Sequence, residues 1–206
     1  MKEILIVDYK MGNLGSIANM IKRIGYQCEI TSDTSIVKDA DKIILPGVGH
    51  FDKAMQNIAS LGLKDIIIKK ALIDKTPMLG ICLGMQIMGN QSEEGIEKGL
   101  GIIDADFKKF SFLPDLKLKI PHMGWNTIET NKESRIFKDM PAASRFYFVH
   151  SFHAVCNNER DILTTTSYGY NFSSSFANEN ILGVQFHPEK SHQFGMQLLK
   201  NFIENF

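Results

Sequence analysis

The chain has 206 residues, 44% hydrophobic and 22% charged, enough for one domain with a sizeable core and close to the ordinary soluble mix. Lys+Arg and Asp+Glu balance at 23 each, so no global field is available to recruit nucleic acid or an acidic membrane surface. The cysteines (Cys28, Cys82, Cys156) are odd in number and show no CxxC spacing, which argues against a disulfide framework or a zinc site.

From the start, MKEILIVDYK has an apolar run too short for a signal peptide and no small-residue cleavage site. No later stretch approaches the roughly 20 apolar residues of a membrane span. A cytoplasmic location is expected, with neither nucleic acid nor membrane as partner. Ile4 to Val7 reads as a strand buried on both faces. Leu14, Ile17, Ala18, Ile21 and Ile24 recur at helical spacing, with Gly25 as the stop signal. Strands are expected near Cys28–Thr31 and Lys42–Leu45, helical segments between Asp52 and Asp74, then a strand at Met78–Ile81 running into a helix near Leu83. This alternation implies a parallel sheet with right-handed crossovers.

The second half is richer in strand signals: Ile102–Phe107, Lys117–Ile120, Phe146–Val149, Ile162–Ser167, Phe172–Phe176 and Ile181–Phe186. Ser191 is a candidate cap for a last helix whose apolar face is Phe194, Leu198, Leu199, Phe202 and Ile203. The expected architecture is one three-layer α/β domain over residues 1–206, with a central, mostly parallel mixed sheet flanked by helices. No further domain is expected. Nothing like G-x-G-x-x-G follows the first strand, so a dinucleotide is disfavoured, and no cofactor or metal is expected.

The segment Gly80-Ile-Cys82-Leu-Gly84 carries the main chemical signal. It puts a cysteine at a strand-to-helix junction with glycines two positions before and after, the geometry of a nucleophile elbow. The start of a helix favours thiolate over thiol, and the Leu83 N–H would face the oxyanion formed on attack. Most intracellular cysteines are simply buried, and Cys28 and Cys156 are read that way. A thiol nucleophile needs a base, and the base needs an orienting partner. Of six histidines, only His187 sits in strand–His-Pro-Glu, where Pro188 extends the backbone and Glu189 faces the same side. A surface turn would also produce that tripeptide. Two such features at the C-terminal ends of strands describe a Cys82-His187-Glu189 triad for acyl transfer.

These motifs resemble those of the triad, or class I, glutamine amidotransferases, here Gly80-Ile-Cys82-Leu-Gly84-Met-Gln86 and His187-Pro-Glu189. Within that family the chain is most similar to glutaminase subunits of imidazole glycerol phosphate synthases. The likeness extends over Asp8-Tyr9, Met11-Gly-Asn-Leu14, Leu45-Pro-Gly-Val-Gly49, Pro121-His-Met-Gly-Trp-Asn126, Tyr147-Phe-Val-His-Ser151 and Gly183 to Ser191. The resemblance implies an oxyanion strand at Gly47, Val48 and Gly49 beside Leu83. It implies that Gly49, Gln86, His150, Ser151 and Phe152 hold the amino-acid end of glutamine. It implies a docking face of Asn13, Met123, Trp125, Tyr147 and Lys190, although Trp125 alone would be read as core. Glutamine would be hydrolysed to glutamate and ammonia, the ammonia passing to a (β/α)8-barrel cyclase in histidine biosynthesis, with turnover low until that partner binds its substrate.

Lys10, His50 and the pair Phe152-His153 depart from the usual pattern of that enzyme. A paralogous subunit supplying ammonia to a surface-polysaccharide sugar would share the same chemistry. A stand-alone cysteine γ-glutamyl hydrolase would use the same three residues without a partner. A non-catalytic module would have no use for them.

Overall fold

The computed structural model describes residues 4–206. In chain order the elements are β1 (Ile4–Val7), α1 (Leu14–Arg23), β2 (Glu29–Thr31), α2 (Thr34–Asp39), β3 (Lys42–Gly47), α3 (Phe51–Ser60), α4 (Leu63–Leu72), β4 (Met78–Cys82), α5 (Leu83–Ile87), β5 (Gln91–Ser92) and β6 (Ala105–Lys109). They continue with β7 (His122–Thr127), β8 (Glu129–Thr130), β9 (Arg145–His150), β10 (Phe152–Cys156), β11 (Ile162–Tyr168), β12 (Tyr170–Asn178), β13 (Ile181–Val184) and α6 (His192–Asn205).

The strand order β2-β1-β3-β4-β13 is parallel throughout; β12, β10 and β6 extend that sheet through antiparallel pairings, and β5 lies parallel to β6 at its edge. The architecture is therefore the expected α/β domain with a mixed, mostly parallel centre. Alternation along each buried strand makes the three layers. Leu5, Val7, Ile43 and Leu45 pack with Phe51, Met55, Ile58 and Ile67 of α3 and α4 on one face. Ile4, Ile6, Ile44 and Leu79 pack with Ile17 and Ile21 of α1 and Leu198 and Phe202 of α6 on the other. Each such buried side chain contributes about 1.5–3 kcal/mol of transfer free energy.

Several details differ from the sequence expectations, among them β7 and β10, which are not among the expected strands. The six-residue α2, capped by Asp33 accepting from the Ser35 N–H at 2.8 Å, is too short to show periodicity. Lys117–Ile120 is not a strand: a one-turn helix at Pro114–Leu116 ends on Lys117 at φ 48°, a left-handed conformation no strand continues through. The expected strand at Ile102–Phe107 begins at Ala105 instead, because the Ile102 and Ile103 N–H groups turn back to the Met88 carbonyl. Ser191 precedes α6 without capping it; its hydroxyl donates to the His187 carbonyl at 2.6 Å and accepts the Tyr147 N–H at 3.0 Å.

A separate two-stranded ribbon, β7 with β9, pairs Met123 with Val149 and Trp125 with Tyr147. It is joined to the loop after β13 by the His187 N–H, which donates to the Tyr147 carbonyl at 2.9 Å.

Candidate active site

Because β3, β4 and β13 are parallel neighbours, their C-terminal ends open on one edge of the sheet. Cys82 ends β4, opposite Gly47 of β3, and His187 lies three residues beyond Val184, which pairs with Ile81. Cys82 is held at φ 53°, ψ −110°, a conformation that costs a non-glycine residue about 1–3 kcal/mol and marks a sharp elbow. The flanking glycines make it possible. A Cβ on Gly84 would sit 1.6 Å from the Leu45 carbonyl oxygen, and one on Gly80 would sit 2.7 Å from the Gly84 oxygen.

His187 is buried, with Nδ1 2.7 Å from Glu189 Oε1. Its Nε2 is buried without a well-aligned hydrogen bond, and the group acting on it is Cys82. Burial alone would lower the imidazole pKa. The charge of an ionised Cys82, its hydrogen bond and then Glu189 outweigh burial and push the value up to about 10. Elsewhere in the chain burial pushes the Cys28 thiol up, and that of Cys156 up to about 11.

A cleft of about 290 Å³ opens over Cys82, lined by Val48, Gly49, Leu83, Gln86, His150, Ser151 and Phe152. Of the residues expected around substrate, only Gly47 lies outside it, buried at the end of β3. Pro121, Val149 and Glu94 also line the cleft. Glu94 escapes a sequence reading because it stands in an exposed acidic turn. Its Oε2 accepts the Phe51 N–H at 2.7 Å, which fixes the carboxylate at the cleft wall.

Two more residues join the site, both inside stretches of the resemblance but given no role by the sequence. Gln185 is fully buried; its Nε2 donates toward Cys82 Sγ at 3.6 Å and its Oε1 accepts from Gln86 Nε2 at 3.2 Å. A glutamine inside the apolar run Ile181–Phe186 is the one signal available. The Tyr9 hydroxyl donates to the Pro46 carbonyl beneath the Gly47–Gly49 strand. Burial and the charge of Cys82 both push its pKa up, so it stays a phenol and a donor.

The ribbon gathers Met123, Trp125, Tyr147 and Lys190 on its outer side. Met123 is 62% exposed and Trp125 42% exposed, which corrects the reading of Trp125 as core. Trp125 stacks on His192 with centroids 5.4 Å apart, and Lys190 Nζ lies 5.6 Å above the Tyr147 ring. Asn13 is exposed at the start of α1, where it accepts the Ser16 N–H. The three departures also have places. Lys10, at φ 65°, pairs with Asp8 at 2.8 Å; His50 caps α3 by accepting the Asp52 N–H; and His153 Nε2 lies 2.9 Å from the Tyr170 hydroxyl.

Among the described residues there is no group of His, Cys, Asp or Glu fit to hold a metal, and no helix long and apolar enough to cross a membrane.

The profile of the family "Glutamine amidotransferase class-I" matches residues 5–206. Over 201 residues, 98% of each chain, the sequence is 52% identical to imidazole glycerol phosphate synthase subunit HisH 2 of Methanococcus maripaludis. It is 45% identical, over 98% of each chain, to the subunit of the same name from Pseudomonas aeruginosa. The fold matches that of PurLQS from Thermotoga maritima with a TM-score of 0.74 at 18% identity, covering 98% of both chains. It also matches a putative GMP synthase protein from Thermoplasma acidophilum, with a TM-score of 0.74 at 21% identity over 98% of this chain and 92% of that one. At such identities these structures speak for the fold alone.

Proposed function

The chain belongs to the class I glutamine amidotransferases, and within that family we propose that it is the glutaminase subunit of an imidazole glycerol phosphate synthase. The observation that carries the chemistry is the placement of Cys82 at a strained elbow beside a buried His187 whose far nitrogen is 2.7 Å from Glu189. Full-length identity to the HisH subunits supports the pathway.

Glutamine enters the cleft with its carboxamide over Cys82, and the carboxylate of Glu94 suits its α-ammonium group. The thiolate adds to the amide carbon, and the oxygen takes the charge facing the Leu83 N–H and the Gly47–Gly49 strand. Collapse breaks the C–N bond as His187, already protonated, gives its proton to the leaving nitrogen and releases ammonia. Neutral His187 then takes a proton from water, which attacks the thioester, and glutamate leaves as the thiolate returns. Glu189 holds the ring tautomer through both halves. The ammonia is destined for a (β/α)8-barrel cyclase docked on the ribbon face of Met123, Trp125, Tyr147 and Lys190, with Asn13 alongside.

The test is glutamate release by the isolated chain, and again with the histidine-pathway cyclase and its substrate. Slow turnover that accelerates on addition is the expected result. Fast turnover without a partner would sink the subunit reading in favour of a γ-glutamyl hydrolase. A second reading rests on the numbered names of both relatives, which are those of one copy among several. Such a copy would serve a paralogous pair that amidates a polysaccharide sugar. Silence toward the histidine cyclase would favour it.

A further inference from the structure

Beneath the ribbon, two histidines form a hydrogen-bonded chain whose direction is fixed at every step. Asn126 Nδ2 donates to the Ser167 carbonyl at 3.0 Å while its Oδ1 accepts the Thr127 N–H at 2.9 Å, which sets the amide orientation. The same Nδ2 lies 3.3 Å from His122 Nε2, so that nitrogen accepts and the proton of His122 sits on Nδ1. His122 Nδ1 lies 3.1 Å from His150 Nε2, so His150 in turn carries its proton on Nδ1, 2.7 Å from the Phe152 carbonyl. That carbonyl also receives Gln86 Nε2 at 3.5 Å, and the amides of Gln86 and Gln185 continue to Cys82.

Both imidazole rings are buried. The His122 ring lies between Tyr168 at 4.1 Å and Phe148 at 4.8 Å, and His150 packs on Phe110 at 5.2 Å. Burial holds His122 down to about pKa 4 and His150 down to about 3, so both stay neutral near neutral pH and the direction does not scramble. Nothing in the Cys82-His187-Glu189 chemistry uses these two side chains. Yet they join β7, whose outer side carries Met123 and Trp125, to the Ser151–Phe152 wall of the cleft.

We propose that His122 and His150 are positioning residues for the glutamine site, holding the Ser151–Phe152 wall through the Phe152 carbonyl so that ribbon and wall move together. The proposal rests on the reading of the cleft as a glutamine site. Two variants of the full-length chain test it. His122→Phe removes the donor while keeping a stacked ring. Asn126→Asp, at a half-exposed position, replaces the donor with an acceptor and reverses the chain, turning the His150 Nδ1 proton away from Phe152. His122→Asn, which returns a donor near the place of Nδ1, is the conservative rescue.

The readout is the rate of covalent labelling at Cys82, followed by mass spectrometry on the Cys82 peptide. One reagent is glutamine-shaped (6-diazo-5-oxo-L-norleucine) and the other, iodoacetamide, needs only the nucleophile. The expected result is a fall of about tenfold with the glutamine-shaped reagent in both variants, the scale of one lost buried hydrogen bond. Iodoacetamide labelling should be unchanged, and His122→Asn should recover part of the loss. Steady-state turnover should show the same effect as a raised KM for glutamine with little change in kcat. Unchanged labelling by the glutamine-shaped reagent, or an equal fall with both reagents, overturns the proposal. A wild-type chain that reacts with iodoacetamide but never with the glutamine-shaped reagent removes the glutamine-site reading, and the proposal with it.

Discussion

Replacing Gly84 with alanine tests whether the elbow, and not merely the presence of a cysteine, makes the site. The added Cβ would lie 1.6 Å from the Leu45 oxygen and 2.6 Å from its carbonyl carbon, both backbone atoms of β3. Reaching even 3.0 Å requires α5 and β3 to separate by at least 1.4 Å. Overpacking of this kind costs about 1–3 kcal/mol, and a contact with rigid backbone belongs at the top of that range. The displacement falls on Cys82 and on the Leu83 N–H, where about 1 Å of misplacement is worth about 100-fold in rate. Urea unfolding and partner-stimulated glutamate release measure the two effects. Gly25→Ala is the control: it adds the same methyl group, here at a positive φ of 92° that Gly84 does not have, but the group meets nothing within 4 Å and lies far from the chemistry. It should destabilise by about 1–2 kcal/mol and leave turnover intact. A Gly84→Ala protein with the parent's unfolding midpoint and turnover would refute the elbow argument.

Cys82→Ala should bring the His187 pKa down from about 10, since the thiolate's charge and hydrogen bond leave while burial and Glu189 remain; histidine NMR titration reads it directly, and a value still near 10 would refute the coupling. Trp125→Ala should cost under about 1 kcal/mol of stability, because the ring is half-exposed, yet weaken binding of the cyclase by about 2 kcal/mol or more in calorimetry. Stability should also pass through a maximum with pH. His122 and His150 have folded pKa values of about 4 and 3 against an ordinary 6.5, so their contribution is complete above 6.5 and lost as pH falls. His187, at about 10, contributes fully below 6.5 and loses that contribution as pH rises toward 10. Urea midpoints that keep rising into the alkaline range would contradict the assignment of His187.

The parallel half of the fold is legible because its strands are buried on both faces and its helices are long enough to show a period. Gly80, Gly84 and Pro188 announce backbone geometry, and that geometry places Cys82 near His187. What stays hidden has physical causes. In β7 the inward residues are His122, Gly124 and Asn126, while Met123 and Trp125 face out, so the usual alternation is inverted and gives no strand signal. The same inversion makes Trp125 look like core. Gln185 and Glu94 act through positions that only the folded chain brings to the cleft; nothing in their local sequence points at Cys82. His50, which departs from the usual pattern, caps α3, a role that only the folded chain reveals.

The ribbon is six residues of β7 against six of β9, and the two proposed roles fall on its opposite sides. Period-two geometry means that a single inserted or deleted residue in either strand would exchange the two tasks wholesale, whereas a change of two would merely shift them. Its length is thus pinned more tightly than its composition. If the outward face docks a partner and the inward one serves the glutamine site, as proposed, substitutions can accumulate on the outward positions as the partner's surface drifts, while the inward ones answer to a substrate that never changes. Two clocks of sequence divergence should therefore run in alternate positions of one short strand.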